Sequence, residues 1–156
     1  MNNIDELRIF VKLIVEKSKI LKDKYTNEYD AKVNYACIFC QNESDFIKYI
    51  SILKEDNNEI LEDTYSGPLF RIKDLDTVSG TLKLLKIRRY DKEHLELGDA
   101  DFTIKNYNDF KNNCLNKKEF SIISKQDFEM IELMEKDSDV RVYFSNPPID
   151  EDLGIV

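Results

Sequence analysis

Two carboxylates, Asp99 and Asp101, stand two residues apart in the run Asp99-Ala100-Asp101-Phe102-Thr103-Ile104. The run reads as a strand, in which alternate side chains take opposite faces. Ala100, Phe102 and Ile104 form the apolar set that a helix should cover, so Asp99, Asp101 and Thr103 face the other way. Carboxylates two apart on one strand face lie about 7 Å apart and repel. Such a pair suits acid–base work or cation binding, and equally a salt bridge to a neighbouring arginine. In an earlier strand, Val33 to Cys40, the matching set is Tyr35, Cys37 and Phe39.

Arginines supply the complementary half. Arg71 lies between Phe70 and Ile72, and Arg141 between Val140 and Val142, with Tyr143 on Arg141's face. Arg88 and Arg89 point to opposite sides, so one of them reaches the surface of Asp101. A guanidinium fork favours bidentate binding of a carboxylate or phosphate, and an arginine-lined cleft suits a small anion. The same arginines are equally able to neutralise Asp99, Asp101, Glu129 and Glu132. The candidate ligand-binding residues are thus Tyr35, Arg71, Arg88, Asp99, Asp101, Arg141 and Tyr143, with no catalytic residue assigned.

Other constellations are weaker. His94 is the single histidine, lies in a charged loop and is expected to be exposed; no nucleophile elbow accompanies it. Cys37 and Cys40 form a C-x-x-C, but a redox pair or half a zinc site needs a turn or helix start there. On a strand, residues three apart face opposite ways, so a structural role is expected. With Cys114 the count is odd, which suits free thiols rather than a disulfide framework. Lys83, Lys86, Arg88 and Arg89, interleaved with Leu82, Leu84, Leu85 and Ile87, read as a strand with one solvated, charged face. No G-x-G-x-x-G, Walker-type loop, H-E-x-x-H or EF-hand run is present.

The elements that must position these residues belong to a chain of 156 residues, 42% hydrophobic and 35% charged, enough for one core. Its net charge of −8 disfavours nucleic acid and anionic membrane surfaces as partners. No apolar run approaches the roughly 20 residues of a membrane span. Asp5 and Glu6 interrupt Met1 to Phe10, so no export signal is expected and the cytoplasm is the expected compartment.

From Asn3 to Tyr25 the apolar stripe Ile4, Leu7, Phe10, Val11, Ile14 and Leu21 predicts a helix, capped by Asn3 with Glu6 as the reciprocal carboxylate. Lys19, Lys22 and Lys24 suit the negative end of its macrodipole. Strands follow at Val33 to Cys40, Ile60 to Tyr65, Leu69 to Lys73 and Thr81 to Arg89, with a helix at Ser44 to Leu53. A second set has strands at Asp99 to Ile104, Glu119 to Ser124, Phe128 to Met134 and Val140 to Ser145, with a helix at Asn108 to Leu115. The order β-α-β-β-β occurs twice. Sliding the chain by 64 residues sets Tyr35–Phe46 over Asp99–Phe110 with four identities: Ala36/Ala100, Asn42/Asn106, Asp45/Asp109 and Phe46/Phe110.

This tandem order, opened in the second half by Ala100-Asp101-Phe102-Thr103-Ile104-Lys105-Asn106-Tyr107-Asn108-Asp109-Phe110, resembles the vicinal-oxygen-chelate superfamily of glyoxalases, bleomycin-resistance proteins and extradiol dioxygenases. The resemblance covers about Val33 to Ser145. It implies curved sheets with helices on the convex side and a ligand or metal in the concavity. The family's first-strand metal ligands fall near Tyr35 and Asp99, but the last strands, Thr81 to Arg89 and Val140 to Ser145, contain no carboxylate. No bound metal or cofactor is therefore expected.

The expected fold is α+β: an N-terminal helix (1–27), two tandem β-α-β-β-β modules forming curved mixed sheets (33–90 and 98–146) and an extended tail (147–156). Three functions remain open: a small polar or anionic ligand-binding protein, a lyase-, isomerase- or dioxygenase-like enzyme using Asp99 and Asp101, or a protein-interaction module using the N-terminal helix. A homodimer is expected, because that helix has an apolar surface wider than one stripe; the helix either contributes to the dimer interface or covers an exposed sheet region.

Overall fold

In the computed structural model, which describes residues 1–155, the chain opens with α1 (Ile4–Tyr25). Asn3 caps it, its Oδ1 accepting from the Glu6 amide at 2.9 Å. The reciprocal bond expected from Glu6 goes one residue further back, to the Asn2 amide at 2.8 Å. Leu7, Val11, Ile14, Val15, Ser18, Leu21 and Lys22 form one buried face at helical spacing, while Ile9, Leu13 and Ile20 stay exposed. The buried face lies across the sheet of its own chain, so α1 takes the covering role.

The remaining elements are β1 (Lys32–Phe39), α2 (Glu43–Glu55), β2 (Glu59–Thr64), β3 (Gly67–Thr77), β4 (Gly80–Arg88), β5 (Gly98–Thr103), α3 (Tyr107–Cys114), β6 (Phe120–Ser124), β7 (Glu129–Leu133), β8 (Val140–Asn146) and α4 (Ile149–Asp152). The strands form one open, mixed sheet in the order β2-β3-β4-β1-β5-β8-β7-β6. In each half the first strand runs parallel to the last, and the other neighbours are antiparallel. The halves meet where β1 and β5 pair antiparallel.

Period-two alternation divides the sheet. Ala36, Ile38, Leu85, Ile87, Ala100, Phe102, Val142 and Phe144 are buried on the side that α1 covers. The strand registers place Tyr35, Cys37, Lys86, Arg88, Asp99, Asp101, Arg141 and Tyr143 on the other side. A bulge between Val33 and Tyr35 adds Asn34 to that polar side, where its amide meets Asp101 and Thr103. At Gly67 the backbone has φ 140°, and a Cβ there would sit 1.9 Å from the Ile87 carbonyl oxygen, so the start of β3 requires glycine.

One expectation changes. The tail is not extended throughout: after a cis Asn146–Pro147 bond the chain turns into α4, with the Asp152 amide donating to the Pro148 carbonyl at 3.0 Å. Lys22 stands in the last turn of α1, as its place near the negative end of the dipole requires. It is fully buried, with Nζ 2.7 Å from Asp23, 5.2 Å from the centre of the Phe102 ring and bonded to the Glu28 carbonyl. Among the described residues no helix is long and apolar enough to cross a membrane.

Candidate functional site

The polar sheet face forms the floor of a cavity of 430 Å³. Its walls come from both outer ends of the sheet: Glu62, Thr64 and Leu69 from β2 and β3, and Ile123, Lys125, Phe128 and Met130 from the β6–β7 hairpin. The sheet therefore curls until its ends face each other. Pro147, Ile149, Asp152 and Leu153 close one end, and His94 lies at the other.

On the floor, Asp99 stands between Cys37 on β1 and Arg141 on β8, and Asp101 between Tyr35 and Tyr143. Both carboxylates are buried, at 7% and 1% exposure, but their surroundings differ. Asp101 is saturated: Asn34 Nδ2 donates at 2.9 Å, the Ser145 amide at 3.2 Å, and the Ser145 hydroxyl also donates. Burial outweighs these donors and pushes its pKa up to about 6. Asp99 Oδ1 has no hydrogen-bond partner. Burial, and then the charge of Asp101, hold the Asp99 carboxyl well above the usual carboxylate range, against the opposing pull of Arg88, Arg141 and Lys86. Burial therefore favours the protonated form of Asp99, in which the carboxyl can donate one hydrogen bond.

The cationic groups come from β4. Lys86 Nζ donates to Ser66 Oγ at 2.6 Å, and burial lowers its pKa. Arg88 reaches Asp91 at 3.5 Å, while its buried Nε has no partner. Burial raises the Cys37 thiol well above its ordinary value, as it does the Tyr35 phenol, so neither is a nucleophile near neutral pH.

Five of the seven candidate residues thus line one cavity: Tyr35, Arg88, Asp99, Asp101 and Tyr143. Two do not. Arg71, half-buried on β3, is outside the lining, and Arg141 is committed to neighbouring acids. Its guanidinium bonds Glu96 (NH2 to Oε1, 3.1 Å) and the Glu93 carbonyl, and lies 3.7 Å from Glu132. Glu132 also accepts from the Tyr143 hydroxyl at 2.5 Å.

Three lining features differ from expectation. His94 is not an exposed loop residue: it lies edge-on to Phe39 with ring centres 5.1 Å apart, and its Nδ1 is 3.1 Å from Asp91. Burial, then the charges of Arg88 and Arg141, lower its pKa. Lys86 does not belong to a solvated face, although its spacing of two from Arg88 carried the signal. The Asn34 half of the clamp on Asp101 depends on the bulge in β1, which no residue spacing announced, whereas Ser145 shares Tyr143's face by alternation.

No family profile matches the chain, and no curated protein matches it. Among solved structures it is similar to a glyoxalase/bleomycin resistance protein/dioxygenase superfamily member from Vibrio splendidus 12B01. The match has 8% identity and a TM-score of 0.45, over 74% of this chain and 97% of that one. It is also similar to a chain described as an NAD-dependent benzaldehyde dehydrogenase from Legionella pneumophila (13% identity, TM-score 0.38, 71% and 97% covered). A third is a hypothetical protein from Bacillus halodurans C-125 (12% identity, TM-score 0.38, 74% and 93% covered). The likeness is a weak one of fold alone.

A divalent metal, which the chelate-superfamily resemblance implies, does not fit this floor. Tyr35 and Asp99 take the first-strand places, but Lys86 and Arg88 bring cations to β4, and β8 supplies Arg141 and Tyr143. Among the described residues no group of three or more His, Cys, Asp or Glu side chains is gathered to hold an ion.

Proposed function

We propose that this protein binds a small organic anion in the central cleft. The observation that carries this reading is the floor itself: Lys86 and Arg88 stand beside Asp99, whose buried carboxyl is held well above the usual carboxylate range and leaves Oδ1 unpaired. A cavity of 430 Å³ that joins apolar side chains to convergent charged and polar ones has the size and mixed lining of a small-molecule site. Binding is favoured over catalysis by Asp99 and Asp101, because Asn34 and Ser145 already occupy the oxygens of Asp101. It is also favoured over a docking role for α1, whose main apolar face, Leu7, Val11, Ile14, Val15 and Leu21, packs on its own sheet. Three buried free thiols suit a reducing compartment such as the cytoplasm.

The test is thermal unfolding with a panel of carboxylates and phosphates, on wild type and on Arg88→Gln. Stabilisation of wild type that rises with anion concentration and is lost in the variant supports the reading. Equal stabilisation of both proteins, or none by any anion, counts against it.

A further inference from the structure

The floor of the cleft is charged, whereas its walls carry an apolar patch beside Glu62, Thr64 and Lys125, and the ligand has to match both. Ile123, Phe128 and Met130 of the β6–β7 hairpin face Leu69 across the cavity, so a bare inorganic anion would leave apolar walls against water. The floor carries two cations on β4, but the clamped carboxyl of Asp101 is next to Asp99 along β5 and titrates at about 6, so it is largely ionised at neutral pH. A dianionic head would meet that charge at close quarters, in a setting of low dielectric. A singly charged head would not.

Asp99 lines the cavity with its buried Oδ1 unpartnered, and this free position distinguishes between kinds of monoanion, since burial favours the protonated carboxyl. A neutral carboxyl donates a short, charge-assisted hydrogen bond to a carboxylate, and a carboxylate has two oxygens with which to accept it and further donors together. Lys86 and the unpartnered Nε of Arg88 are those donors. We infer that the ligand is an amphipathic monocarboxylate, its head held by Arg88, Lys86 and Asp99 and its apolar body lying against Ile123, Phe128 and Met130. The inference rests on the reading of the cleft as an anion site and names the class of anion.

Isothermal titration of the intact protein at pH 7 with benzoate, hexanoate, phenyl phosphate, inorganic phosphate and benzyl alcohol tests it. Benzoate and hexanoate are expected to bind saturably, and the other three at least tenfold more weakly. Arg88→Gln should weaken benzoate tenfold or more. Asp99→Asn, isosteric and still a donor, should keep its affinity within about threefold, whereas Asp99→Ala should lose it as Arg88→Gln does. Phenyl phosphate binding as tightly as benzoate overturns the monocarboxylate class while the anion site stands. Benzoate affinity unmoved in Asp99→Ala likewise overturns the assigned head group alone. Benzyl alcohol binding as tightly as benzoate, or no binding by any of the five, overturns both readings.

Discussion

Ala36 and Ala100 are paired directly across the β1–β5 seam, and they are also the residues that the 64-residue shift sets over each other. A residue that pairs with its own counterpart lies at the approximate two-fold axis relating the halves. On one side of it α1 packs on the sheet; on the other lies the cleft floor. Both alanines are completely buried.

Their small size lets α1 approach the seam, so enlarging either one should act alike. Ala36→Leu and Ala100→Leu are each expected to destabilise by about 1–3 kcal/mol through overpacking. Urea unfolding measures this. A large cost at one position with none at the other would separate the two sites.

The two helix caps, by contrast, should not be equivalent. Asn42 accepts from the Asp45 amide at 2.8 Å, whereas Asn106 makes no side-chain cap bond to the backbone and donates instead to the Asp109 carboxylate at 2.8 Å. Asn42→Ala is expected to cost about 1 kcal/mol. Asn106→Ala should cost less than half of that, measured in the same unfolding experiment.

Stability should depend on pH through the buried carboxyls. Asp101 keeps its proton to about pH 6 in the native state, against about 3.9 in an unfolded chain. The native state therefore binds more protons in that window, so this contribution is full below about pH 4 and lost as pH rises through 6. Relative to Asp101→Asn, wild type is expected to lose up to about 3 kcal/mol between pH 4 and pH 7. Asp99, raised further, carries the same trend to higher pH. A wild-type-minus-variant difference that is flat with pH would contradict this assignment.

His94 offers a direct reading of the cleft's charge, because it is the single histidine and its NMR titration is unambiguous. Its midpoint is expected below the usual 6.5, so it is neutral at pH 7. Arg88→Gln removes a repelling cation and should raise the midpoint. Asp91→Asn removes the partner that favours the charged form and should lower it.

Much of the framework was legible because it rests on short-range periodicity. The amphipathic run of α1, the alternation along Asp99 to Ile104 and the Asn-x-x-Asp-Phe starts of α2 and α3 are local patterns, and they return as a covered sheet face and two helices with buried Phe46 and Phe110, the first of them capped by its Asn side chain. Alternation likewise assigned Tyr35, Asp99 and Asp101 to one face. What it could not assign was the company each side chain keeps. Arg141 and Arg88 are both strand arginines on that face, yet Arg141 is consumed by Glu96 while Arg88 lines the cavity. Asp99 and Asp101 are the same residue two positions apart, and a bulge at Asn34 together with Ser145, 44 residues on, saturates one and leaves the other open. Lys22 suits the end of the α1 dipole by its position, yet its burial depends on the Glu28 carbonyl and Phe102. Side-chain direction is a property of the local backbone, whereas burial, pairing and protonation depend on groups brought together from distant parts of the chain. The sequence by itself therefore determined the faces, and only the tertiary structure decided which charges on them are spent and which are left for a ligand.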